Sequence, residues 1–168
     1  MSITPQQILD GAVTGAKAGM QATVPMGATM RLGMMATTTP SRVPFSAVMK
    51  TIEKKVGLQV SEPEHAAASW AGHMAYGAAF GALFGAAQAA LPQQARTTGA
   101  STAIGAAFGL GLWAASYLGW LPAMGVMKSA KRSPAGFNAT NIAAHLVWGG
   151  ATGAKLGRAL PATLDVER

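Results

Sequence analysis

The segments "AGHMAYGAAFGALFG", residues 71–85, and "AAHLVWGGATGAKLG", residues 143–157, carry one pattern twice. At an offset of 72 residues His73 meets His145, Tyr76 meets Trp148, and Gly77, Gly81 and Gly85 meet Gly149, Gly153 and Gly157. Matches in type at fixed spacing predict an internal repeat. Residues four apart share a helix face, so each segment predicts a helix with a glycine stripe headed by a histidine. Gly11, Gly15 and Gly19 repeat the spacing near the N-terminus, as do Ser101, Gly105 and Gly109 between the two phrases. Every predicted helix therefore presents a small-xxx-small face. Such faces bring backbones together where lipid provides no hydrophobic drive for association.

Charge patterning points to the same environment. Charged residues make up 11% of the 168-residue chain, against about 25% in ordinary soluble domains. No Asp, Glu, Lys or Arg occurs from Ala66 to Ala95, from Thr97 to Met127, or from Ser133 to Ala154. Each window exceeds the roughly 20 residues that cross a bilayer as a helix. A fourth candidate, from about Ile8 to Met35, is interrupted by Lys17 and Arg31. Mean hydropathy is only +0.27, because Ala and Gly build the windows. A soluble Ala-rich bundle is disfavoured by the 21 glycines, each costing about 1 kcal/mol in a helix interior in water.

The expected fold is all-α: an integral membrane four-helix bundle of two repeated hairpins, forming a single domain over residues 1–168. The predicted spans are about 8–34, 66–91, 98–127 and 138–160. Thr4 and Pro5 start the first helix, and Pro92, Pro134 and Pro161 punctuate the later ones. Phe45, Val48, Met49, Ile52 and Val56 recur at helical steps, with Lys50, Glu53, Lys54 and Lys55 mostly opposite. This predicts an amphipathic helix over about 44–57, lying on the membrane surface or capping the bundle end. The N-terminus lacks the basic region and compact apolar core of a signal peptide, so the first helix is expected to remain in the mature protein. The loops after the first and third spans hold Arg31, Arg42, Lys50, Lys54, Lys55, Lys128, Lys131 and Arg132, against Arg96, Lys155, Arg158 and Arg168 on the other side. That excess orients the first set toward the cytoplasm, with both termini outside. The same anchoring role accounts for the net charge of +7, and no nucleic-acid motif accompanies it.

The two His-x-x-aromatic-Gly helices, with "VPMG" at 24–27 and "LPAMG" at 121–125, resemble the uncharacterised bacterial inner-membrane family that includes YagU. The resemblance covers most of the apolar part of the chain. It implies an inner-membrane protein and transfers no catalytic residue.

Chemistry-bearing residues are few. The chain has no cysteine, which excludes disulfides and thiolate metal sites. His73 and His145 are expected at similar depth on parallel helices, pointing into the bundle. There they serve as hydrogen-bonded locks, a proton-relay pair, or axial ligands of a b-type haem. Zinc or copper between them lacks a third ligand in the spans. Lys17 and Gln21, with Arg31, define a candidate polar pocket for an anionic solute or head group. Met26, Met30, Met34 and Met35 read as packing filler. No Ser-His-Asp set, carboxylate pair or phosphate loop is visible along the chain. The expected function is a non-enzymatic structural or accessory membrane subunit, associating with other membrane subunits or with its own copies. A small-solute channel or carrier and a haem-bearing electron-transfer protein are the alternatives.

Overall fold

A computed structural model of the chain describes residues 3–36 and 44–164. Within them the protein is helical and contains no strand. The helices are α1 (Pro5–Ala36), α2 (Pro44–Val56), α3 (Glu62–Ala89), α4 (Thr98–Ala123) and α5 (Ala135–Leu164). Arg42 and Arg168, used above for orientation, lie outside the described residues.

Local chemistry fixes the helix starts. The Thr4 hydroxyl accepts from the Gln7 amide at 3.2 Å, while the Gln7 side chain accepts from the Thr4 amide at 3.1 Å. This reciprocal capping box starts α1 at Pro5, where the sequence places it. Ser61 does the same for α3: its amide and hydroxyl both donate to the Glu64 carboxylate at 2.8 Å. Those two donors, the amide first, hold the Glu64 carboxyl below its usual range. Thr97 caps α4 by accepting from Ala100 N at 3.2 Å. Gly57 (φ 72°) follows α2 and Gly125 (φ 69°) follows α4, both in the left-handed region that favours glycine. α5 does not stop at Pro161 as expected but continues to Leu164. Pro161 has no amide hydrogen, so the helix runs past it with one ladder bond fewer.

The glycine stripes are the contact surfaces. α1 and α3 run antiparallel, face to face: a Cβ added at Gly15 would lie 2.8 Å from Gly85 Cα, and one at Gly19 would lie 2.8 Å from Gly81 Cα. α4 and α5 pair in the same way. A Cβ at Gly105 would lie 3.1 Å from Gly153 Cα, and one at Gly157 would lie 2.7 Å from Thr98 Cα. Backbones this close leave no room for a methyl group. α1 also packs along α5, whereas α3 and α4 stand apart with aromatic rings between them. Phe84 stacks on Phe108 at 5.0 Å there. Consecutive long helices alternate in direction, so α3 and α5 run parallel.

Among the described residues one helix, Thr98–Ala123, is long and apolar enough to cross a membrane. The other three long helices, predicted as spans, fall below that measure: α4 sets Ile104, Leu110, Leu112, Leu118 and Leu121 among its alanines and glycines, whereas α3 has only Leu83 of that kind, and α1 and α5 carry charged residues such as Lys17 and Lys155.

α2 lies across one end of the bundle. Val48 is buried with Tyr117, Leu121 and Phe137, and Phe45 stacks on His73 at 5.2 Å. Lys50, Lys54 and Lys55 face outward as the periodicity predicts, but Glu53, assigned to the polar side, is buried. Its carboxylate is drawn inward by a histidine of α3.

Candidate functional site

Two places concentrate polar side chains in an otherwise apolar interior. The first is a cavity of about 50 Å³ beneath α2. His73 from α3 and His145 from α5 both line it, together with Met26 and Met30 from α1. The fourth wall comes from α4, where the α-helix gives way to a π-helical segment at Ala115–Trp120. The wider turn shifts the side-chain register, and the consecutive residues Ser116 and Tyr117 both reach the cavity. The histidines are 7% and 5% exposed. The Asn141 carbonyl accepts from His145 Nδ1 at 2.7 Å. That bond places the proton of the neutral ring on Nδ1 and leaves Nε2 as the free lone pair. His73 packs its ring between Phe45 and Trp70.

The repeated aromatic one turn beyond each histidine leaves its own hairpin. Trp148 of α5 donates from its indole nitrogen to the Gly19 carbonyl of α1 at 2.9 Å. Tyr76 of α3 meets the Ser116 hydroxyl of α4 at 3.4 Å. Each copy of the phrase thus supplies a glycine face that closes a hairpin and an aromatic that reaches the other hairpin.

The geometry bears on the expected ligands. A space of about 50 Å³ holds a few water molecules. A porphyrin does not fit within it, and enclosing one would require the helices to separate. Among the described residues no three His, Cys, Asp or Glu side chains gather as a metal site. Lys17 and Gln21 do not join the histidines: both are exposed on the outer side of α1, and Gln21 accepts from Lys155 Nζ at 2.8 Å. Arg31 lies farther along α1, on the wall of a different groove. The polar pocket expected from Lys17, Gln21 and Arg31 therefore does not assemble, because their spacing along α1 spreads them over its length.

The second place is the junction of α2 and α3. His65 Nδ1 lies 2.8 Å and 2.9 Å from the two carboxylate oxygens of Glu53. Its Nε2 lies 2.8 Å from the Ser46 hydroxyl and 3.5 Å from that of Ser69. His65 is 8% exposed and Glu53 is 9% exposed.

No family model matches the chain, and no curated protein or solved structure is similar to it at a significant level.

The carboxylate can only accept, so Nδ1 of His65 carries a proton; in the uncharged form of the ring Nε2 then accepts from the Ser46 hydroxyl. A carboxylate–imidazole–hydroxyl chain in this tautomer is the arrangement that activates serine nucleophiles. Ser46, His65 and Glu53 thus stand in hydrogen-bonded order, a grouping not visible along the sequence. Sequence spacing hid it: Ser46, Glu53 and His65 lie on two helices and follow no local motif. The signal that was available was Glu53, a carboxylate only four residues from the buried-face position Met49. Beside the triad runs a groove of about 520 Å³, lined by Ser46, His65, Ser69, Trp70, Gly27 and Arg31 among others.

Proposed function

We propose that the chain is a multi-pass integral membrane protein, a bundle of two duplicated hairpins whose four long helices all span the bilayer, serving as a structural or accessory subunit. One observation carries this reading: between Ala66 and Ala154 the outward faces of α3, α4 and α5 bear no charge. They consist instead of residues such as Trp70, Ala79 and Leu83, Ile104, Leu110 and Leu118, and Ala143, Leu146 and Val147. A helix facing water places its charged residues on that side. Polar side chains such as Gln88, Ser101, Asn141 and Thr152 are instead buried among the apolar ones. Length agrees: the 26 residues of α4 extend about 39 Å at 1.5 Å per residue, more than the roughly 30 Å hydrocarbon core.

Partnership with another subunit is supported by α4. Gly99, Ala103, Ala107, Gly111, Ala115 and Gly119 form an exposed stripe at four-residue steps, and a Cβ at Gly99, Gly111 or Gly119 would meet nothing within 4 Å. In lipid, such a face accommodates a neighbouring membrane helix. α2, with Ile52 and Val56 exposed beside its lysines, suits the headgroup boundary on the cytoplasmic side.

The test is accessibility labelling of single cysteines in sealed vesicles. Ser61→Cys and Ser129→Cys should label from one side and Gln94→Cys from the other. Labelling of all three from the same side, or release of the chain by carbonate extraction, would end the multi-pass reading. Purification in mild detergent should retain a partner chain or a dimer, and Gly111→Leu should release it. A monomer in the unsubstituted protein would oppose the subunit role.

A further inference from the structure

We infer that Ser46, His65 and Glu53 form a catalytic triad for acyl transfer, acting on an acyl ester held in the groove beside α2 and α3. The inference goes beyond the membrane-subunit reading and does not depend on it. A helix–helix latch would need only one hydrogen bond from His65 to either neighbour. The observed chain instead runs through both ring nitrogens, with 2.8 Å at each end. The carboxylate presents both oxygens to Nδ1–H, which fixes the ring orientation and the tautomer together. Glu53 and His65 are shielded from water, while Ser46 is half-buried and lies on the groove wall. A nucleophile must be reachable while its base and orienting acid are held in place, and this is the order of exposure found.

The groove supplies the rest of a substrate site. Trp70, 47% exposed, and Phe45 offer apolar surface for an acyl chain. Gly27 lies under the Trp70 ring: a Cβ there would lie 3.1 Å from the ring edge. Arg31 lines the same groove and is the cation available to the carbonyl oxygen as it becomes negative.

The step balances without a cofactor. Ser46 Oγ attacks the ester carbonyl as its proton passes to His65 Nε2, and Glu53 stabilises the resulting imidazolium. The tetrahedral intermediate expels the alkoxide, which takes the proton from His65, leaving an acyl–Ser46 ester. Water, deprotonated by His65, then hydrolyses that ester, releasing the carboxylic acid and restoring the serine. Ser69, at 3.5 Å from the same nitrogen, lies on the groove wall but is too distant to compete for the proton.

The test uses the full-length protein in mild detergent with a fluorophosphonate probe, which phosphonylates only activated serines. The adduct is located by mass spectrometry. The expected result is modification at Ser46, absent in Ser46→Ala, and slowed about a hundredfold in His65→Asn, the lower range for loss of a positioned base. p-Nitrophenyl acyl esters should give a burst of one nitrophenolate per chain, lost in Ser46→Ala. Glu53→Gln keeps the side-chain shape and should slow modification while leaving the melting temperature near that of the unsubstituted protein. A folded, unsubstituted protein that leaves Ser46 unmodified overturns the inference. So does modification that proceeds equally fast in a folded His65→Asn variant.

Discussion

Gly81→Ala adds one methyl group where α1 and α3 touch. The new carbon would press on the Gly15 carbonyl oxygen and lie 2.9 Å from Gly19 Cα. Comfortable carbon–carbon contacts are about 3.5–4.0 Å. The obstacle is backbone on a neighbouring helix, so no side-chain rotation relieves it and the helices must part. Overpacking of this kind costs about 1–3 kcal/mol. Ala also gains up to about 1 kcal/mol over Gly in helix propensity, which partly masks the cost. Gly150→Ala supplies the reference, because it receives the same propensity gain and its Cβ would meet only Thr102 Cγ2, at an ordinary 3.8 Å. The propensity contribution cancels between the two variants, leaving a difference of about 1–3 kcal/mol. For a chain of this length that is a gap of roughly 2–12 °C in melting temperature. The assay is thermal unfolding in one mild detergent, followed by tryptophan fluorescence. Gly150→Ala should melt at or above the unsubstituted protein, and Gly81→Ala below it. Gly153→Ala, whose Cβ would lie 2.7 Å from the Ser101 carbonyl carbon, tests the second hairpin. The two hairpin contacts share no residues, so Gly81→Ala and Gly153→Ala should combine additively within about 0.5 kcal/mol. Coincident melting of Gly81→Ala and Gly150→Ala would refute the close-contact account of the glycine stripes.

Trp148→Phe removes the indole donor to the Gly19 carbonyl and part of a ring that is 2% exposed; calorimetry should register a loss of about 1–3 kcal/mol. Gln88 accepts from Ser101 at 3.1 Å, while its Nε2 is buried without a partner. Replacing both residues, as Gln88→Met with Ser101→Ala, should therefore cost less than Ser101→Ala alone, since paired apolar replacement leaves no orphan. Glu64, whose folded pKa is depressed by Ser61, should titrate below 4.5 when followed by NMR. Its stabilising contribution is fully present above the unfolded value and disappears as pH falls through the lower folded one, so Glu64→Gln and the unsubstituted protein should converge in stability only in acid.

The sequence by itself determined the helices and the faces by which neighbours in the chain pack. The reason is local: a four-residue glycine spacing can mean only one stripe on one helix. The stripes at Gly11–Gly19 and Gly77–Gly85, like those at Ser101–Gly109 and Gly149–Gly157, meet as their matching lengths require. Burial of His73 and His145 was legible for the same reason, since each heads a buried stripe. What lay between the hairpins was not legible. Trp148 and Tyr76 occupy equivalent positions, yet one finds a backbone carbonyl and the other a serine, because their partners are set by the opposing helix and not by the repeat. The polar stripe of α1 misled, as helical spacing says which residues share a face but not whether that face turns inward. Tertiary structure alone joined Ser46, Glu53 and His65. Glu53 carries the polar signature of an exposed helix position, and only the docking of α2 over α3 gives its carboxylate a buried histidine to hold.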